Sequence, residues 1–210
     1  MRATWYFDFI SPFAYLQLGK ILSLNERLPV EPVPILFAGV LDALGQRGPA
    51  EIPGKRLFTY RLVQWQAAQA GIPLRFPPTH PFNPLPALRL CIAAGGAWDV
   101  VRTIFAHLWR DGCAGDSPEA LTRLAASLIP GDTTVALAQQ SVKDVLRRNT
   151  QRALDAQVFG VPTLQVDGTL FWGNDASAMA LDYVNNTALF TSEDYRYLEQ
   201  LPVGIARNRG

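Results

Sequence analysis

Two cysteines and two histidines are all the thiol and imidazole side chains in these 210 residues, and their placement removes several functions at once. Cys91 and Cys113 stand far apart with no Cys-x-x-Cys pair, and His80 and His107 are isolated. A structural zinc site needs about four ligands at close spacing, so it is excluded. Both thiols read as core or helix cysteines rather than as a disulfide framework. Charge of one sign is also missing: 19 basic and 18 acidic residues are scattered along the chain, for a net charge of +1. Such a surface has no electrostatic footprint for nucleic acid or anionic lipid, and neither is an expected partner. No run reaches the ~18 uninterrupted apolar residues of a membrane helix. The apolar stretch 1–18 is interrupted by Asp8, has only Arg2 as a basic flank and offers no small-x-small cleavage site, so a cytoplasmic protein is expected.

What is present is an ordered succession of elements. Residues 3–9, rich in aromatics, read as a buried strand; residues 14–28 follow with Tyr15, Leu18 and Leu22 at helical spacing. Residues 30–37 read as a second strand, and Pro32 and Pro34, which donate no ladder bonds, put it at an edge or a bulge. From 39 to 158 the patterns are helical: 55–70, 84–94, 98–110, 117–128, 134–146 and 148–158. Strands return at 161–166 and 169–172 around an Asp167-Gly168 turn, a last helix runs from about 174 to 184, and 186–210 is poorly patterned. Strand–helix–strand, a long helical block, then hairpin–helix does not alternate as a doubly wound nucleotide-binding domain would. It predicts an α/β thioredoxin-like fold, residues 1–38 and 159–210, with an all-helical insertion, residues 39–158, between its βαβ and ββα halves.

Three short segments could carry chemistry. In Phe7-Asp8-Phe9-Ile10-Ser11-Pro12-Phe13, a hydroxyl residue before proline, after a strand and before a helix, is first of all a helix N-cap. The same position sets the Ser11 hydroxyl beside orphan N–H groups and the positive end of the helix, which favours an anion such as a ligand's thiolate by up to ~1–2 kcal/mol. In Phe159-Gly160-Val161-Pro162-Thr163, Pro162 either opens an edge strand or forms a cis bond. The cis form would turn the Val161 backbone outward to pair with an extended peptide-like ligand. In Phe171-Trp172-Gly173-Asn174-Asp175, Asn174 or Asp175 reads as a cap of the last helix. Alternatively, the helix N–H groups bind a carboxylate while Asp175 takes an ammonium.

These segments, with 6–16 and Val158, resemble the 2-hydroxychromene-2-carboxylate isomerases and kappa-class glutathione transferases, in the disulfide-oxidoreductase-like branch of thioredoxin folds. Weaker echoes are Gly71-Ile72-Pro73-Leu74 and Leu201-Pro202-Val203-Gly204, so the resemblance spans nearly the whole chain. It implies a glutathione cofactor whose sulfur meets Ser11, whose backbone pairs with Val161 before a cis Pro162, and whose γ-glutamyl end is held by Asn174 and Asp175, with Trp172 in the same segment. In the isomerases the thiolate adds reversibly to the substrate's conjugated double bond, and rotation followed by expulsion gives the trans product. The resemblance also suggests a homodimer and a small electrophilic or aromatic substrate, near which Phe13, Phe37 and Lys55 are candidates.

One segment departs from the family. Where isomerase-like members carry a lysine and a Gly-Asn, Val40-Leu41-Asp42-Ala43-Leu44-Gly45-Gln46 has no basic residue, and Gln replaces the Asn. A carboxylate substrate wants a cation, which leaves three readings: the isomerase, a kappa-like transferase with another electrophile, and a non-catalytic glutathione- or peptide-binding module. Thiol–disulfide exchange needs an attacking thiolate, and Ser11-Pro12-Phe13-Ala14 has none. Asp8 is expected to be a satisfied structural carboxylate, and His80 and His107 are given no role.

Overall fold

A computed structural model describes residues 1–204; positions 205–210, assigned to the thioredoxin-like half from sequence, lie outside the described residues. Strand β1 (Ala3–Phe7) is buried at every position and lies inside a four-stranded sheet of order β2-β1-β3-β4, with β2 at Val30–Pro34, β3 at Thr163–Val166 and β4 at Thr169–Trp172. It pairs parallel with β2 and antiparallel with β3. The crossover to β2 is helix α1 (Pro12–Asn25). Both prolines of β2 sit on an edge strand, opposite Trp5 and Phe7, where a missing donor is tolerated. The β3–β4 hairpin turns through Asp167 (φ 46°) and Gly168 (φ 94°), the paired positive φ values a two-residue turn of this kind requires.

Side-chain alternation along β1 divides the interior. Trp5 and Phe7 face the main core with Phe105, whereas Tyr6 faces a smaller cluster with Val33, Ile35 and Val161. Between β2 and β3 come α2 (Phe37–Ala43), α3 (Pro53–Gln69), α4 (Leu85–Ala93), α5 (Trp98–Phe105), α6 (Pro118–Ala125), α7 (Thr133–Ala138) and α8 (Gln140–Asp155). After β4 come α9 (Ser177–Asn185) and α10 (Glu193–Glu199). The main core runs across both parts of the chain, joining Trp5, Phe7 and Phe9 to Leu88, Ile104, Phe105 and Trp109.

Several element boundaries differ from those read in the sequence. The second strand stops at Pro34, and Phe37 opens α2 instead of closing the strand, its N–H taken by a carboxylate rather than by the sheet. The helix expected to break near 147 runs unbroken from 140 to 155; the break lies at Gln139, whose extended ψ of 135° no turn residue announces. Helix α5 gives way to a wider π turn over Ala106–Arg110, where Asp111 N–H reaches back to the Ala106 carbonyl. The last helix starts at Ser177 rather than 174, and the unpatterned tail contains α10.

The carboxyl of Asp8, just past β1, is wholly buried and joins two turns: Oδ1 accepts the Ile10 N–H (3.1 Å) and Oδ2 the Phe37 N–H (2.9 Å). It is thus the satisfied aspartate expected. Burial pushes its pKa up to about 7, against the pull of backbone N–H groups of Phe37, Ile10 and Phe9. Between about pH 4 and 7 the native state holds a proton the unfolded chain has released, so this group's contribution to stability falls as pH rises. From pH 5 to 7, native protein should lose about 2 kcal/mol more stability than Asp8→Asn, read from denaturant unfolding at each pH. Superimposable pH profiles would refute the shift. Phe105→Ala, which empties a fully buried position among Trp5, Phe7 and Phe9, should cost about 3–5 kcal/mol in the same assay.

Candidate active site at the Ser11 turn

Ser11 is the N-cap of α1: its backbone is extended (φ −89°, ψ 112°), Pro12 takes the first helical position, and Oγ accepts the Ala14 N–H at 3.3 Å. The first-strand aromatics are buried and the next residues turn sharply, with Ser11 N–H bonded to the Asp8 carbonyl (3.0 Å). The hydroxyl proton points to the Val161 carbonyl over a long 3.5 Å contact. That weak bond brings together two segments that lie 150 positions apart in the chain, and it leaves the hydroxyl free to turn to a better acceptor.

Val161–Pro162 is a cis peptide. Val161 is buried, and among the described residues its N–H has no acceptor, while its carbonyl has only the Ser11 hydroxyl. A backbone N–H without a partner in the chain is uncommon, and this one is a donor that an added backbone could use. The following groups are occupied: Pro162 accepts the Gly173 N–H (2.8 Å), and Thr163 Oγ1 donates to the Gly160 carbonyl (2.8 Å). Trp172 is half exposed; its indole meets Phe159 edge-on at 5.2 Å and lies so close over Gly160 that a Cβ there would collide with it.

Neither Asn174 nor Asp175 caps α9, whose N-cap, Ala176, makes no side-chain bond. The Asn174 side chain is instead tied sideways, its Oδ1 accepting from Lys20 Nζ (2.9 Å) and its Nδ2 donating to Gln66 Oε1 (3.3 Å). Asp175 is exposed, and among the described residues its carboxylate has neither hydrogen bond nor ion pair. The turn is anchored from below by Gln17, 1% exposed, whose amide accepts from Trp5 Nε1 (2.7 Å) and donates to the Gly173 carbonyl (2.9 Å) and Ser177 Oγ (3.1 Å).

Ser11, Val161, Pro162 and Trp172 therefore share one neighbourhood, with Asn174 and Asp175 tied to it through α1. The three substrate candidates are less united. Phe13 packs with Leu16, Val63 and Ala67 between α1 and α3; Phe37 packs in the Tyr6 cluster. Lys55 is exposed in the first turn of α3, without a hydrogen bond or ion pair among the described residues.

Sequence reasoning missed Lys20, Gln17, Gln66 and His80. Gln17 left a readable signal, a polar residue within the buried stripe Ala14, Leu18, Ile21 and Leu24 of α1. His80 left none, yet its Nε2 lies 2.9 Å from the Ile10 carbonyl, beside Ser11.

Comparison with known proteins agrees with this architecture. Residues 4–185 match the DsbA-like thioredoxin domain. A 2-hydroxychromene-2-carboxylate isomerase of Pseudomonas putida is 30% identical over 183 residues, 83% of this chain and 90% of that protein. Glutathione S-transferase kappa 2 of Caenorhabditis elegans is 26% identical over 203 residues, 86% of this chain and 90% of that one. The solved structure of a 2-hydroxychromene-2-carboxylate isomerase superposes with a TM-score of 0.76 at 26% identity, covering 90% of this chain and 96% of the other. With the capping serine, the cis-proline beside it and these relatives over most of its length, the chain belongs to the DsbA-like thioredoxin family, among the homologues of the 2-hydroxychromene-2-carboxylate isomerases.

Proposed function

We propose that this chain is a glutathione-dependent isomerase of the 2-hydroxychromene-2-carboxylate isomerase type, acting on a small aromatic or electrophilic substrate. The observation that carries the reading is the junction of the Ser11 hydroxyl with Val161 at the cis peptide. The unpaired Val161 N–H and weakly held carbonyl fit an extended tripeptide laid along the start of β3. Glutathione, when bound, supplies a thiolate nucleophile that adds reversibly to a conjugated double bond.

The residues here bind and orient it. Ser11 turns its proton from Val161 to the sulfur, while the Ala14 N–H remains on Oγ and polarises the hydroxyl. Together with the helix dipole this lowers the thiol's pKa without a metal or a cysteine of the protein's own. Asp175, with no partner among the described residues, takes the γ-glutamyl ammonium, and Lys20, beside Asn174, takes the carboxylate of the same zwitterion. Trp172 walls the strand entry.

A second reading, a kappa-like transferase with a different electrophile, is favoured by one observation. Residues 40–46 carry no cation, and the nearest basic groups, Arg47 and Lys55, are exposed.

Glutathione should raise the melting temperature, and Ser11→Ala should lower turnover roughly 10- to 100-fold, the worth of one hydrogen bond to a charged group, ~1.5–3 kcal/mol. Turnover of 2-hydroxychromene-2-carboxylate supports the isomerase; conjugation of aryl or enone electrophiles alone supports the transferase. Stabilisation without any turnover would leave a binding module, and no effect of glutathione on melting would refute all three.

A further inference from the structure

The peptide plane between Ile10 and Ser11 has two polar ends, and both are held. Its N–H, from Ser11, donates to the Asp8 carbonyl at 3.0 Å; its C=O, from Ile10, accepts from His80 Nε2 at 2.9 Å. Donation from Nε2 leaves Nδ1 as the acceptor in a neutral ring. Tyr60 OH lies 2.7 Å from that Nδ1 and 2.6 Å from the His80 carbonyl, two acceptors that share its one proton and hold the ring in place. Burial lowers the His80 pKa against the opposing pull of the Ile10 bond, so the ring stays neutral near pH 7. The ring is wedged edge-on among Tyr60, Phe76, Phe82 and Trp109, with centroids 5.2 to 6.1 Å away. Trp109, against which it packs at 5.4 Å, donates its indole N–H to the preceding carbonyl, that of Phe9, at 2.8 Å.

None of this is needed to make a helix cap. Ser11 caps α1 with its own oxygen. What the imidazole adds is rotation control: the Ile10 carbonyl, attached directly to Ser11, is held by a residue of the helical block. If this peptide swung, the serine Cα–Cβ bond would turn with it, and a carbonyl oxygen could approach a bound anion, which repels it. We propose that His80 is a positioning residue for the active site, its Tyr60-oriented Nε2–H fixing the Ile10–Ser11 peptide so that the Ser11 hydroxyl faces the cofactor sulfur. The proposal rests on the glutathione reading above and extends the site into the helical block, to a residue 69 positions downstream of Ser11 in sequence order.

The test compares His80→Phe, which keeps a ring and removes the donor, with His80→Gln, which returns an N–H at similar reach, and with Tyr60→Phe, a milder loss that leaves the imidazole. The readouts are amide hydrogen exchange at Ser11 in the free protein, the affinity for S-methylglutathione, which has no thiol to ionise, and the pKa of bound glutathione from the ultraviolet absorbance of its thiolate. In His80→Phe the Ser11 amide should exchange faster and the bound thiol's pKa should rise by about one unit, a tenfold loss of thiolate at fixed pH. S-methylglutathione affinity should hardly change. His80→Gln should reverse most of the shift, and Tyr60→Phe should show a smaller one of the same sign, which suffices if His80→Phe does not fold. A thiol pKa unmoved in His80→Phe, or in Tyr60→Phe if that is the variant that folds, while Ser11→Ala raises it, overturns the role of His80. A native chain that binds neither ligand, or a thiol pKa that Ser11→Ala leaves unmoved, overturns the glutathione reading and this proposal with it.

Discussion

The first strand ends inside the protein, and the chain must turn there with its peptide groups cut off from water. Buried backbone N–H and C=O groups need partners, and between Asp8 and Ser11 a sheet or helix ladder supplies none of them. Side chains take over: the Asp8 carboxyl holds Ile10 N–H, the Trp109 indole holds the Phe9 carbonyl and the His80 imidazole holds the Ile10 carbonyl. Two of these three partners come from the region between β2 and β3. Without the helical block the turn would have unpaired carbonyls, at a cost of about 1–3 kcal/mol for each.

The other half of the site is tied down by the same means. Gln17, a polar residue on the buried side of α1, would be destabilising there if unpaired. It is paired at both ends, with Trp5 in the first strand and with the Gly173–Ser177 turn. Helix α1 therefore presents Ser11 at its N-terminus while holding the turn after β4, a shared frame for the two places where a peptide-like cofactor would be gripped. The Asp8 carboxyl extends that frame to the start of α2 through Phe37 N–H. A single buried acid thus links the serine turn to the first residue of α2.

Much of the architecture was legible along the chain. Aromatic crowding in residues 3–9 meant a buried strand, which ends at Phe7, Pro32 and Pro34 meant an edge or a bulge, and Asp167-Gly168 meant a tight hairpin, because each of these is a local constraint of backbone or solvation. The positions of Ser11 before Pro12, and of Val161 before Pro162, were visible for the same reason. The errors fell where local rules were silent. Phe37 reads as strand by composition and became helix because a distant carboxylate takes its N–H; Gln139 breaks a helix without a turn residue; Asn174 was read as a cap and is drawn aside by Lys20 and Gln66.

The order of elements, the lack of a cysteine in Ser11-Pro12-Phe13-Ala14 and the presence of a capping serine at the head of α1 were settled by sequence, since each depends on neighbours within a few residues. Which groups meet was settled only by folding. His80 has no sequence feature that marks it and reaches the Ile10 carbonyl only when the helical block closes on the turn after β1; Gln17 is marked only as an anomaly in an apolar stripe and finds its partners only when the turn after β4 docks on α1. The physical reason is reach: hydrogen bonds act over about 3 Å, whereas the chain positions that make them here lie as much as 165 apart.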